Sequence, residues 1–359
     1  MTHFVTLTRR SRGCQNSTTG QIMIFPFKIT ARSFLGIDIG SSSIKVVELS
    51  KTGKTVKLEN YAEAAASIPL LSFQETAQNL RFILDQAKIK TKKAVFTLPD
   101  FSSFFTWFDL PAMSKAEIPE AVRYEAKQHI PTPLSGVTLD WQIIGGGEKG
   151  KKIKILLVVF PNEFIVQYST IAKLSQIEPQ ALEAEVFALS RSSLVNENKT
   201  TALVDIGARS TTCSIIDNGV LKRSYSFDIS GNKLTQIISQ SLNTDELKAE
   251  ELKKKYGLAG EKKLREILLP LINLILNEIK KVLESFYQSE TKTVQKVILA
   301  GGTALLPGLR EYFESDLKKE VQITEPFFGI SHPQTLEKTL KEIGPSYAIA
   351  VGAALRGIE

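Results

Sequence analysis

The chain has 359 residues, 43% apolar and 23% charged, a balance that supports a buried core and excludes disordered, collagen-like and coiled-coil chains. At about 150 residues per domain, this length predicts two domains or one large composite. The net charge is +7, but Arg9, Arg10, Arg12, Lys28 and Arg32 stand in an acid-free stretch at 1–33; without these five the balance is +2, which excludes a nucleic-acid footprint on the body of the chain.

Residues 1–33 read as a basic, disordered leader, because the apolar stretch at 22–27 contains Pro26 and is too short for a signal-peptide core. Met23 leaves open whether residues 1–22 are translated. The longest apolar run, 267–276, is interrupted by Pro270 and Asn273 and falls short of the roughly 20 residues a membrane span needs. Cys14 and Cys213 offer no disulfide framework, which fits the cytoplasm, and His3, His129 and His332 lack zinc-site spacing.

Ordered structure is predicted to begin at the apolar run 34–40, followed by the serine triplet 41–43, strands at 44–49 and 55–58, and a helix over 72–88. Strands at 93–98 and 104–110, a helix over 114–130 opened by Ser114 with Glu117 as a capping box, strands at 137–144 and 152–160, and a helix over 162–176 follow. Their texture predicts an inserted α+β unit over 92–178 with its own sheet. The first pattern then returns: 201–207 (TALVDIG) echoes 34–40 (FLGIDIG), again followed by a small polar turn, a strand at 213–216, an Asp217-Asn218-Gly219 turn and a strand at 220–227. A helix-rich stretch at 230–288 breaks near Tyr256 and Gly257. A strand at 296–299, the Gly301-Gly302-Thr303 turn, a helix to 317 and a terminal helix over 347–356 close the chain.

A strand ending in Asp-X-Gly ahead of small hydroxyl residues makes a phosphate cradle: glycine admits the ligand and backbone N–H groups face it. The acid repels phosphate and so acts through a divalent cation and its waters. Asp38 with Gly40, Ser41, Ser42 and Ser43 forms one such hairpin, and Asp205 with Gly207, Ala208, Arg209, Ser210 and Thr211 a second. Either alone is also an ordinary β-turn; together they describe a clamp on a polyphosphate. Lys45 reads either as a phosphate-facing cation or as a solvated strand lysine. Gly301, Gly302 and Thr303 form a strand-to-helix turn against which a flat group can lie. Glu250 and Lys253, at i and i+3, are ribose ligands or a surface ion pair.

In this order, DIGSSSIKVVEL (38–49), VDIGARSTT (204–212), AEELKKKYG (249–257) and VILAGGTALLPGL (297–309) resemble the phosphate-1, phosphate-2, ribose and adenosine motifs of the actin-like ATPase superfamily. Within it, AEVFALSRS (184–192), YAIAVGAAL near the C-terminus and the inserted unit with LPAMSKAEIPEAVRYEAKQHIP (110–131) resemble the PilM family of type IV pilus assembly, with the FtsA family as the nearest rival. The resemblance implies an α/β, actin-like (RNase H-like) duplicated core, two domains around a nucleotide cleft, and an SHS2-like 1C insertion of the FtsA and PilM type. Its subdomains would be 1A at 34–91, 179–199 and 335–359; 1C at 92–178; 2A at 200–225 and 293–334; and 2B at 226–292.

It further implies ATP with magnesium. Asp38 and Asp205 would hold the metal through water, and Gly40, Ser41, Ser42, Ser43, Lys45, Gly207, Ala208 and Arg209 would surround the phosphates. Glu250 and Lys253 would contact the ribose, Gly301, Gly302 and Thr303 the adenine side, and Glu185 would orient the attacking water or remain a helix-surface acid. Ala208-Arg209 departs from the small pair of faster ATPases, which implies at most slow hydrolysis. The implied function is a cytoplasmic scaffold peripheral to the inner membrane that binds the N-terminal peptide of PilN in a groove between the first core subdomain and the insert; Phe104, Phe105, Trp107 and Phe108 are a candidate aromatic wall, although their period puts them on two faces of one strand, with at least half of them core. Other platform proteins, the assembly ATPase and self-association complete the implied contacts. An FtsA-like filament former and a small-molecule kinase are the alternatives; the kinase needs a cleft base, for which only Glu183 and Glu185 are offered before Asp205.

Overall fold

The computed structural model describes residues 33–65, 72–130, 132–146, 152–195, 197 and 199–359; the leader reading at 1–32 lies outside them. The first half runs β1 (Ser33–Ile39), β2 (Ser43–Thr52), β3 (Thr55–Ala65), α1 (Phe73–Gln86), β4 (Lys93–Leu98), β5 (Phe104–Leu110), α2 (Ile118–His129), β6 (Val137–Gly146), β7 (Ile153–Pro161), α3 (Asn162–Leu174), β8 (Glu178–Ala184) and α4 (Glu185–Ser193). The second half runs β9 (Thr201–Ile206), β10 (Thr211–Asp217), β11 (Val220–Phe227), α5 (Gly231–Leu242), α6 (Glu246–Tyr256), α7 (Lys262–Glu290), β12 (Lys296–Ala300), α8 (Leu309–Leu317), β13 (Glu320–Ile323) and α9 (Glu337–Ile358).

The echo between the halves is a duplication in space. One sheet has the order β3-β2-β1-β4-β8 and the other β11-β10-β9-β12-β13. In each, the first three strands are antiparallel and the last two join in parallel. β1 and β9 are central strands covered on both faces, which explains why they read as continuous apolar runs rather than alternating ones. Phe34, Leu35 and Ile37 are wholly buried, each contributing about 1.5–3 kcal/mol by leaving water. The small residues of α9 let it lie close on β1; a Cβ at Gly36 would run into the Ala350 carbonyl.

The inserted unit is narrower than the sequence texture predicts. β4 pairs with β1 and β8 in the first sheet, and α3 packs on α1 and β8, so 93–98 and 162–174 belong to the core rather than to an insert at 92–178. What remains is the sheet β5-β7-β6 with α2 and its own apolar cluster around Phe108, Val122, Ala126, Ile155 and Leu157. β4 is buried on both faces like its neighbours, and nothing in a run of apolar residues states which sheet it will join.

Smaller boundaries differ as well. α2 starts at Ile118, with Ser114 and Glu117 forming only a turn in which the Glu117 carboxylate accepts from the Ser114 N–H at 2.8 Å. β3 extends to Ala65. α9 begins at Glu337 and carries Pro345 inside it. The parallel edge strands β8 and β13, which sequence reading passes over, close the two sheets. α1, by contrast, opens on a complete capping box between Ser72 and Glu75.

Candidate nucleotide cleft

Both Asp-X-Gly strands end at the same kind of turn. Asp38 stands opposite Lys45 on β2, and Asp205 opposite Thr212 on β10. The Gly40 N–H donates to the Ser43 carbonyl and the Gly207 N–H to the Ser210 carbonyl, each at 3.0 Å. Ser43 is buried, and the Lys45 ammonium donates to its Oγ at 2.6 Å while lying 3.6 Å from Glu63. Lys45 is thus held toward the first turn rather than free in solvent.

Two further acids meet Asp38 and Asp205. Glu185 opens α4, and its carboxylate accepts from the Asp100 N–H at 3.1 Å; the Val186 N–H returns a bond to Asp100 Oδ1 at 3.2 Å. Burial pushes Asp100 up to about 8, with Asp205 adding to it, and Asp205 itself up to about 7, with Asp38 adding to that. Burial likewise raises Asp38 and Glu185, the latter further through Asp100, Asp38 and Asp205. Lys45 is the cation that opposes the rise at Asp38 and Asp205.

Buried carboxylates that raise one another further are a site whose chemistry fits a cation. Among the described residues, no three His, Cys, Asp or Glu side chains stand close enough to ligate one directly. Carboxylate oxygens are hard donors of the kind that suits a hydrated divalent ion held through its waters.

Asp100 is the site residue that sequence reasoning missed. It follows β4, the strand parallel to β1, and so is a strand-end acid of the same kind as Asp38; the signal was present but lacked a glycine turn to mark it. Glu183, by contrast, is removed from the cleft. It is buried and accepts from Arg191 at 2.9 Å and Arg356 at 2.7 Å; burial favours its neutral form, but the two guanidiniums outweigh that and hold its carboxyl below the usual range. It is no substrate-facing base.

The second half supplies the remaining contacts. The Gly231 and Asn232 N–H groups at the start of α5 donate to the carbonyls of Gly207 and Ala208, at 2.9 and 3.1 Å, so the second turn is braced by that helix. Lys253 is buried beneath it, donating to the Gly231 carbonyl at 2.9 Å and to Thr235 Oγ1 at 2.7 Å, and lies 2.6 Å from Glu250. Its ammonium is engaged by protein, and burial lowers its pKa. Glu250, bonded also to Thr235, keeps a half-exposed carboxylate near the cleft.

Gly301 has φ +83°, and a Cβ there would strike Ile206 O and Asp205 Oδ1, so glycine is required beside the second acid. Thr303 is buried, with its hydroxyl against Gly231; Gly302 completes the turn between β12 and α8. Arg209 points out of the second turn onto Phe101, its guanidinium 4.5 Å from the ring centroid. The four aromatics of β5 do not form one wall: Phe105 and Trp107 pack toward the first core, Phe108 lies under α2, and Phe104 is exposed.

The family model of the Type IV pilus assembly protein PilM matches residues 36–358. The chain belongs to this family. It is also 28% identical to the cell division protein FtsA of Bacillus subtilis over 178 residues, a match spanning 43% of this chain and 40% of that relative's length. Among solved structures, a chain of the PilM-PilN type IV pilus biogenesis complex aligns at a TM-score of 0.81 and 26% identity, over 90% of this chain and 98% of its own. MreB 5 of Spiroplasma citri bound to AMPPNP aligns at 0.50 and 14% identity over 87% and 97%, a likeness of fold alone. The PilM family and these neighbours establish the two-domain actin-like fold that the four motifs imply.

Proposed function

We propose that this chain is an ATP-binding, actin-like scaffold of the type IV pilus inner-membrane platform, and that it docks the N-terminal tail of PilN. The observation that carries the reading is the match along almost the whole chain to the protein solved together with PilN. Among the described residues no helix is long and apolar enough to cross a membrane, so attachment to the inner membrane from the cytoplasm through a bitopic partner suits the chain. The docked tail would lie extended where the inserted sheet meets the first core.

The cleft supports the nucleotide part. Asp38 and Asp205 face each other across it from duplicated turns, and the hydrated magnesium they would hold neutralises the charge of the polyphosphate. Lys45 and the turn N–H groups bind the phosphates, Glu250 faces the ribose, and the Gly301 turn gives the base a flat backbone surface. Ala208 and Arg209 in place of a small pair in the second turn favour slow turnover and a nucleotide used as a ligand. Contacts with other platform proteins, with the assembly ATPase and with further copies of the chain extend the same reading.

Calorimetric titration of the full chain with a synthetic peptide of the PilN N-terminal tail tests it. Saturable binding to one site is the expected result. No heat with that peptide, together with nucleotide-dependent sedimentation of polymers, would transfer the reading to an FtsA-like filament former.

A further inference from the structure

Three contacts join the second half of the molecule to the segment that leads into the inserted sheet. The Arg209 guanidinium stacks on Phe101 at 4.5 Å; Trp107 Nε1 donates to the Leu221 carbonyl at 3.0 Å; and Arg223 lies over the Trp107 ring at 5.6 Å. Arg209 belongs to the second phosphate turn, whose neighbours Gly207 and Ala208 are bonded to α5. Phe101 follows Asp100, whose backbone holds Glu185, and stands three residues before β5, which carries Trp107. One short turn therefore touches the acid cluster, the phosphate turn and the inserted sheet.

The contact is built to release. Among the described residues the Arg209 guanidinium has no hydrogen-bond or ion-pair partner, so its donors are unspent while its face rests on a ring that is 38% exposed. A guanidinium forms stronger, paired bonds to a phosphate than it does to an aromatic face. At the Trp107–Arg223 contact, a cavity of about 330 Å³ lies between Trp107 and Ile144 of the insert and Lys222, Arg223 and Glu290 of the second half, leaving room for the two parts to shift.

We infer that Arg209, Phe101 and Trp107 form a nucleotide-operated latch: Arg209 leaves the Phe101 ring for the terminal phosphates when ATP enters, and the inserted sheet loosens from β11. The inference rests on the nucleotide reading above and adds the route by which the cleft reaches the insert. Arg209 is on this account both a phosphate ligand and the element that makes ligand entry felt outside the cleft.

The chain has two tryptophans, Trp107 and Trp141, so Trp141→Phe makes Trp107 a sole reporter, with Trp141→Tyr as a second background and circular dichroism to verify folding. Acrylamide quenching of Trp107 is measured in this background, alone and with Phe101→Leu or Arg209→Gln, without nucleotide and with magnesium ATP; ATP binding is measured separately by calorimetry. The expected results are an ATP-induced rise in quenching in the parent and a high value without nucleotide in Phe101→Leu. That variant should also bind ATP roughly two- to five-fold more tightly, the equivalent of one exposed cation–π contact no longer opposing it. Arg209→Gln should bind ATP more weakly and show no ATP response at Trp107. ATP bound by calorimetry with Trp107 unmoved in the parent, or both variants behaving as the parent, would overturn the latch. Absence of ATP binding would overturn the nucleotide reading and, with it, operation of the latch by nucleotide, whereas ATP bound with Trp107 unmoved overturns the latch alone.

Discussion

Acids of the cleft and its border divide into two kinds that sequence alone does not separate. Glu183 and Glu185 are two residues apart, yet the first is a structural anion closed in by Arg191 and Arg356, and the second faces other carboxylates. The distinction comes from β8 ending between them, so that one side chain turns into the core and the other opens a helix at the cleft. Removing the first leaves two buried guanidiniums without their shared partner, a loss of about 3–5 kcal/mol for breaking a buried pair from one side. We expect Glu183→Ala to unfold at markedly lower urea, while Glu185→Gln, which relieves repulsion, holds or gains stability; equal losses in the two variants would contradict the division.

At the scale of elements, the duplicated hairpins were legible because a two-residue signature, Asp-X-Gly before a polar turn, is fixed by local geometry and occurs twice. The boundaries of the insert were not, because membership of β4 in the first sheet depends on parallel pairing with a strand more than 50 residues earlier. Arg356, Phe101 and Asp100 were passed over for the same reason: each acquires its partner only when distant elements meet.

The seam between the insert and α9 shows this again. Asp140 on β6 accepts from the Trp141 N–H with one oxygen, while the other is buried without a partner, as is Arg356 Nη2. Burial pushes Asp140 up to about 7, more than its Trp141 bond and the charge of Arg356 bring it down. From the unfolded value near 4 up to about 7, the unfolded chain releases this proton and the folded one keeps it, so stability falls as pH rises through that window and levels off above it. The cleft acids shift in the same direction. Melting temperatures from pH 4 to 8 should therefore decline less steeply for Asp140→Asn than for the parent, with the variant gaining most at pH 8; parallel curves would show that this carboxyl does not titrate with folding.

As a whole molecule, the chain joins a cleft between two like halves to a small sheet inserted in only one of them. That asymmetry suits the proposed scaffold, because a closure of the halves on a nucleotide would move the insert relative to the second half and so change a surface outside the cleft. Motif order made the cleft legible, whereas the contacts of Trp107 and Arg209 that connect it to the insert appear only in three dimensions. Reciprocity then requires that if nucleotide alters the docking surface, an occupant of that surface alters nucleotide affinity by the same factor.

The most direct test is to titrate the full chain with magnesium ATP, with and without a saturating peptide of the PilN N-terminal tail. A change in ATP affinity on the order of five-fold or more, matched by the same change in peptide affinity when ATP is present, is the result predicted for a nucleotide-coupled scaffold. Tight binding of both ligands, each indifferent to the other, would contradict it.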